Sequence, residues 1–186
     1  MSIPTDTIRV ENVVASSKVG QELDLETLAD DLSGASFDPD QFPGLVYRTQ
    51  EPKTSILVFR SGKVVTTGAG SKDDVGEALS KFFSDLSSLE LDVPDNPDFT
   101  VQNMVSSAAM GDSLNLNAIT IGLGLENVEY EPEQFPGLVY RLDDPEVVLL
   151  MFGSGKIVIT GATSHDNALQ AFSNVRAELE ELDLLG

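Results

Sequence analysis

The stretch QFPGLVYRTQEPKTSILVFRSGKVVTTGA, residues 41–69, returns as QFPGLVYRLDDPEVVLLMFGSGKIVITGA at 134–162, with 18 of 29 positions identical at a constant offset of 93. Upstream, IRVENVVASSKVG (8–20) matches FTVQNMVSSAAMG (99–111) at offset 91, so the second copy gains two residues between Gly111 and Gln134. The copies cover about 8–91 and 99–184. DVPDNPD at 92–98, with two prolines and three aspartates, reads as a linker between them. In a chain long enough for one compact domain or two small ones, two long copies predict pseudo-twofold symmetry rather than a solenoid, which needs three or more shorter units.

Each copy reads as strands followed by a helix. Ile8–Ser16 and Phe99–Ser107 are β-rich openings. Leu45–Thr49, Ser55–Arg60 and Lys63–Gly68 follow as short strands, with Ser61-Gly62 as a tight turn that recurs at Ser154-Gly155. Asp24–Leu32 has an N-cap and leucines on one face; its counterpart at Asn115–Leu123 carries a weaker helical signal, being β-branched and glycine-containing. Ser71 and Ser164 cap the clearest helices. Val75, Leu79, Phe82, Phe83, Leu86 and Leu89 form one apolar stripe, and Ala168, Leu169, Phe172, Val175, Leu179 and Leu182 the other.

Composition narrows the function classes. The chain of 186 residues carries 31 acids against 11 bases, a formal charge of −20, yet 41% of it is hydrophobic, enough for a core. Without cysteine there is no disulfide, thiol nucleophile or thiolate metal site, and one histidine leaves no multi-histidine site, so neither metal nor cofactor is expected. The acidic pairs fall on expected helix surfaces or loops, outside any catalytic motif, and Ser-Gly-Lys lacks the upstream glycine of a phosphate loop. An enzyme is therefore not expected. No apolar run approaches the roughly 20 residues of a membrane helix, and MSIPTDTIRVEN lacks a signal peptide's basic and apolar regions, so an intracellular, cytoplasmic protein is expected. Taken alone, the charge argues against a polyanionic partner.

The strands, however, are apolar on both parities: Ile56-Leu57-Val58-Phe59, Val147–Phe152 and Ile157-Val158-Ile159. One long and one short amphipathic helix per copy cover roughly one face of a four- or five-stranded sheet. The other face is either an exposed apolar binding surface or is covered by a second sheet or a second copy. Residues retained by both copies include four phenylalanines, Phe42 with Phe135 and Phe59 with Phe152. Asn12 pairs with Asn103, Thr67 with Thr160, Arg48 with Arg141 and Lys63 with Lys156.

These paired QFPGLVYR…P…F…SGK…TGA blocks, with their VEN and VQN openings, resemble the TATA-box-binding protein family in its archaeal form, over nearly the whole chain. The acidic composition is similar to that of proteins from salt-loving archaea. The resemblance implies an α+β fold: a saddle-shaped ten-stranded antiparallel sheet of two pseudo-symmetric repeats, with helices on the convex face. It implies a general transcription initiation factor whose apolar face lies in the minor groove of a double-stranded A·T-rich promoter element. By that resemblance Asn12, Asn103, Thr67 and Thr160 would face groove acceptors. Val14, Val65, Val105, Val158, Leu57 and Leu150 would press on the groove floor. Phe42, Phe59, Phe135 and Phe152 would wedge between base steps, and Arg48, Lys53, Lys63, Arg141 and Lys156 would meet phosphates.

Transcription factor B is the implied protein partner, through Glu131, Glu133 and Gln134, with RNA polymerase recruited indirectly and the protein nucleoid-associated. Asp38 and Asp40 mirror the two glutamates in the first copy, so acidity alone does not choose the end. Two departures stand out: Gln41 precedes the first wedge where the family commonly has a basic residue, and Glu146 stands opposite Lys53. The competing class is a protein-interaction module that uses the apolar face without DNA. Homodimerisation of the free protein through that face is compatible with both.

Overall fold

The computed structural model describes residues 8–185, which form ten strands and four helices. The first repeat runs β1 (Arg9–Lys18), α1 (Leu25–Asp31), β2 (Ala35–Ser36), β3 (Leu45–Gln50), β4 (Lys53–Val58), β5 (Lys63–Ala69) and α2 (Lys72–Ser88). The second runs β6 (Thr100–Ala109), α3 (Leu116–Leu123), β7 (Val128–Glu129), β8 (Leu138–Asp143), β9 (Glu146–Met151), β10 (Lys156–Ala162) and α4 (His165–Glu181). Strand order is β2-β3-β4-β5-β1 in the first and β6-β10-β9-β8-β7 in the second, with antiparallel pairing throughout. This is the α+β antiparallel architecture implied by the family resemblance.

By contact density the chain divides into two units, with the divisions after Glu11 and after Gln102. Ile8, which opens the first repeat in sequence, is buried in the core that Met110, Ile119, Leu149, Ile159, Phe172 and Val175 build in the second.

Why these segments form these elements is local chemistry. Asp24, Asn115, Ser71 and Ser164 each accept from the backbone N–H three residues on, satisfying one of the donors that a helix start leaves free. The weakly patterned Leu116–Leu123 is thus helical, closed by Gly124 at φ +90°. Beyond the caps, burial supplies the drive. In α2, Val75, Ala78, Leu79, Phe82, Phe83 and Leu86 are buried, and in α4 Ala168, Ala171, Phe172, Val175 and Leu179, while Leu182 stays 41% exposed beyond the last turn.

β4 ends at Val58, earlier than the apolar run suggests. Phe59 and Arg60 belong to the turn, where the Phe59 N–H donates to the Lys63 carbonyl and the Gly62 N–H to that of Phe59. Gly62 and Gly155 sit at φ +93° and +95°, and a Cβ there would lie 2.4 and 2.3 Å from the carbonyls of Gln21 and Asp112. Glycine is therefore required in both Ser-Gly turns.

A tyrosine ties each long helix to its sheet. The Tyr47 hydroxyl donates to Asp85 at 2.5 Å, and its ring lies 5.0 Å from that of Phe82; Tyr140 donates to Glu178 at 3.1 Å. Burial, reinforced by the Glu178 charge, pushes the Tyr140 hydroxyl from 10.0 up to about 12. Burial and Asp85 also raise Tyr47.

Because the folded state holds these protons more tightly than the unfolded chain, the stabilisation is full below about pH 10 and declines as pH rises through the folded values. Urea unfolding from pH 9 to 12 should show this decline, and Tyr140→Phe should make it shallower. Parallel curves for the two proteins would contradict the role given to Tyr140.

Candidate nucleic-acid interface

In the strands of each repeat one parity is fully buried beneath helices and the other is not. β4 alternates buried Thr54, Ile56 and Val58 with half-buried Ser55 and Leu57; β5 alternates Val64 and Thr66 with Val65 and Thr67. Register then fixes which residues lie side by side. On the helix-free face Val46, Leu57, Val65 and Ser16 stand in one row across β3, β4, β5 and β1. Val139, Leu150, Val158 and Ser107 repeat it across β8, β9, β10 and β6. A second row holds Arg48, Ser55 and Thr67, repeated as Arg141, Val148 and Thr160. Val14 and Val105 share the half-buried parity on β1 and β6.

Asn12 and Asn103 are held at bulges. Between Val13 and Ala15 of β1, and between Ile159 and Ala162 of β10, the pairing shifts by one residue. The glycine at each bulge, Gly68 at φ +88° or Gly161 at +94°, turns its N–H out of the ladder. The asparagine Oδ1 accepts that N–H, at 2.7 Å from Gly68 and 2.6 Å from Gly161. The side-chain amide therefore points its donor end at the neighbouring threonine, Thr67 at 3.4 Å or Thr160 at 3.1 Å. With its acceptor committed to the backbone, the asparagine presents chiefly a donor to any ligand on this face. The paired TGA motif carries this signal in the sequence, although the glycine's part emerges only from the register.

Within each repeat two phenylalanines come together. Phe42 and Phe59 have ring centroids 5.9 Å apart at 64°, and Phe135 and Phe152 5.9 Å apart at 71°, both edge-to-face. Phe135 remains 39% exposed. Beneath each pair lies the glycine of Phe-Pro-Gly. A Cβ on Gly44 would stand 2.7 Å from the Phe42 ring and 3.2 Å from Phe59, and one on Gly137 2.8 Å from Phe135 and 2.9 Å from Phe152. These glycines are the seats of the rings, a role that sequence reading did not give them.

All five expected phosphate-facing cations, Arg48, Lys53, Lys63, Arg141 and Lys156, are exposed. Arg141 donates to Glu129 at 3.0 Å. Glu131, Glu133 and Gln134 are exposed in the loop before β8.

With this geometry the comparisons decide the family. The family model described as "Transcription factor TFIID (or TATA-binding protein, TBP)" matches twice, at residues 7–89 and 98–182. The chain belongs to the TATA-box-binding protein family. It is 63% identical to a TATA-box-binding protein of Natronomonas pharaonis over 185 residues, covering 100% of this chain and 99% of that one. It is 62% identical to TATA-box-binding protein E of Halobacterium salinarum, covering both chains fully. Among solved structures, Methanococcus jannaschii TBP superposes with a TM-score of 0.84 at 49% identity, over 94% of this chain and 98% of that one. The family is one of transcription initiation factors and not of enzymes, and its relatives from halophilic archaea agree with the acidic composition.

The ring seats yield a test. Gly44→Ala and Gly137→Ala should each displace their phenylalanine pair and cost about 1–3 kcal/mol by overpacking. Loss of the Phe42–Phe59 or Phe135–Phe152 proton contacts in NMR, with a lowered urea midpoint, would show it; unchanged contacts would contradict the assignment.

Proposed function

We propose that this protein is a general initiation factor that binds an A·T-rich promoter element through the minor groove, bends it, and recruits transcription factor B and thereby RNA polymerase. The observation that carries the reading is the helix-free strip itself: apolar side chains in register, asparagine donors beside them and phenylalanine pairs, half-buried except for exposed Phe135, beyond. In the minor groove A·T pairs show only acceptors, whereas G·C adds the guanine amino group. Asn12 and Asn103, backed by Thr67 and Thr160, donate to those acceptors. Val14, Val65, Val105, Val158, Leu57 and Leu150 leave a guanine amino group without a partner, so apolar contact becomes discrimination.

Dimensions also favour deformation. From the Lys63 end of β5 to Thr67 is four residues, roughly 13 Å at about 3.3 Å each. A B-form minor groove is only about 6 Å wide, so seating the strip requires an opened groove. Inserting Phe42 with Phe59, and Phe135 with Phe152, between base steps opens it at an unstacking cost of roughly a few kcal/mol per step. Flexible TA steps lower that cost and add specificity at positions no side chain touches. Glu131, Glu133 and Gln134 offer transcription factor B an acidic, exposed contact. The protein acts in the cytoplasm at the nucleoid; among the described residues no helix is long and apolar enough to cross a membrane. The half-buried apolar strip also gives the free protein a surface for self-association, which DNA would displace.

With few cations and a charge of −20, attraction to phosphate is not the main source of affinity. Carboxylates such as Glu146 facing phosphates retain cations rather than release them. Fluorescence anisotropy in molar potassium chloride should therefore show tight binding to an A·T-rich duplex and weak binding to its G·C-substituted counterpart, with affinity flat or rising with salt. Equal affinity for both duplexes would reject specific recognition, and a strongly negative slope of log K against log salt would reject the account of the charge.

A further inference from the structure

The acids are shared almost evenly between the repeats, 14 in residues 8–91 and 13 in 99–184, but of the 11 bases eight fall in the first repeat and three in the second. The imbalance reaches the borders of the apolar strip. Lys18 is the cross-strand partner of Lys63, and both are exposed on the helix-free parity, since Ser17 and Val64 beside them are buried. Like charges directly opposite destabilise a sheet. Among the described residues neither lysine is in an ion pair, in a chain with a large surplus of carboxylates. Both open onto a cleft of about 860 Å³ with Ser16, Ser61 and Thr100, and Asp98 borders it without pairing with either.

Arg48 and Lys53 stand at the other border of the same strip, also outside any ion pair among the described residues. The second repeat is built differently at three of these four places. Ala109 pairs with Lys156 where Lys18 pairs with Lys63. Glu146 replaces Lys53, and Arg141 is held at 3.0 Å by Glu129, whose counterpart in the first repeat is Ser36.

We infer that the two repeats share the DNA phosphates unequally. The first grips both phosphate ridges with Lys18, Lys63, Arg48 and Lys53, and the second holds the duplex through its apolar floor, Asn103 and its phenylalanine pair. The inference rests on the DNA reading above and adds Lys18, a residue that a comparison of matched positions passes over because its counterpart is alanine. It makes the two ends of a bound element inequivalent even when the element is palindromic.

The test compares Lys18→Gln/Lys63→Gln with Arg141→Gln/Lys156→Gln, titrated by anisotropy against one palindromic A·T-rich duplex over a potassium chloride series. Losing two phosphate contacts should move the slope of log K against log salt in the positive direction by about 1.8, and losing one by about 0.9. The first variant should show the larger shift and the second, whose Arg141 is already paired, the smaller. Free of its lysine repulsion, the first variant should unfold at the same or a higher urea concentration than the wild type, which separates lost binding from lost fold. A·T preference in the wild type with equal shifts, or a larger shift in the second variant, overturns the partition alone. No A·T preference in the wild type overturns the DNA reading and the partition with it.

Discussion

Side chains of a β-strand alternate between two faces, and here both faces are apolar while helices cover only one. Everything that distinguishes the molecule follows from that mismatch. On one face Ile56, Val58, Leu149, Ile157 and Ile159 disappear beneath α2 and α4. On the other, Val46, Leu57 and Val65 and their counterparts Val139, Leu150 and Val158 stay half-buried in register. A strip of this kind carries a standing hydrophobic free energy that is released only when something apolar, or a groove that sheds its water, covers it.

The polar groups around the strip are positioned by backbone devices rather than by side-chain packing. A bulge with a positive-φ glycine frees one N–H, that N–H fixes the asparagine acceptor, and the fixed acceptor turns the amide donor toward Thr67 or Thr160 on the helix-free face. A glycine without a Cβ lets two phenylalanine rings settle over the chain at the start of β3 and of β8. Both devices occur once per repeat. The pseudo-symmetry of the sequence is thus a symmetry of presented chemistry: amide donor, apolar row and ring pair, twice.

Much of this was legible before any coordinates. The offset of 93 paired the phenylalanines and threonines, the offset of 91 paired the asparagines, and helical spacing with Ser71 and Ser164 located α2 and α4. Other features were hidden for physical reasons. The two-residue strands Ala35–Ser36 and Val128–Glu129 carry no periodicity of their own and exist only because β3 and β8 present free edges. The apolar run through Phe59 hides the end of β4, because the turn is set by Gly62 and its hydrogen bonds rather than by hydropathy. The roles of Gly44 and Gly68 depend on what sits across from them, which no one-dimensional pattern records. Arg141 looked like the twin of Arg48 until Glu129, on a strand that the sequence did not announce, was seen to hold it.

The charge of −20 first weighed against a nucleic-acid partner. On the proposed function it reflects a concentrated-salt solvent, since at 1 M salt the Debye length is about 3 Å and long-range phosphate attraction contributes little. On that same proposal, recognition is left to shape, desolvation and deformation of the duplex. The most direct measurement of that claim is the end-to-end distance, by energy transfer, of an A·T-rich duplex bound by the wild type and by Phe59→Ala/Phe152→Ala. The account predicts a sharply shortened distance with the wild type, and a nearly straight duplex with a variant whose urea midpoint has changed little. Equal shortening with both proteins, or a variant that no longer folds, would contradict the claim that these rings act as wedges.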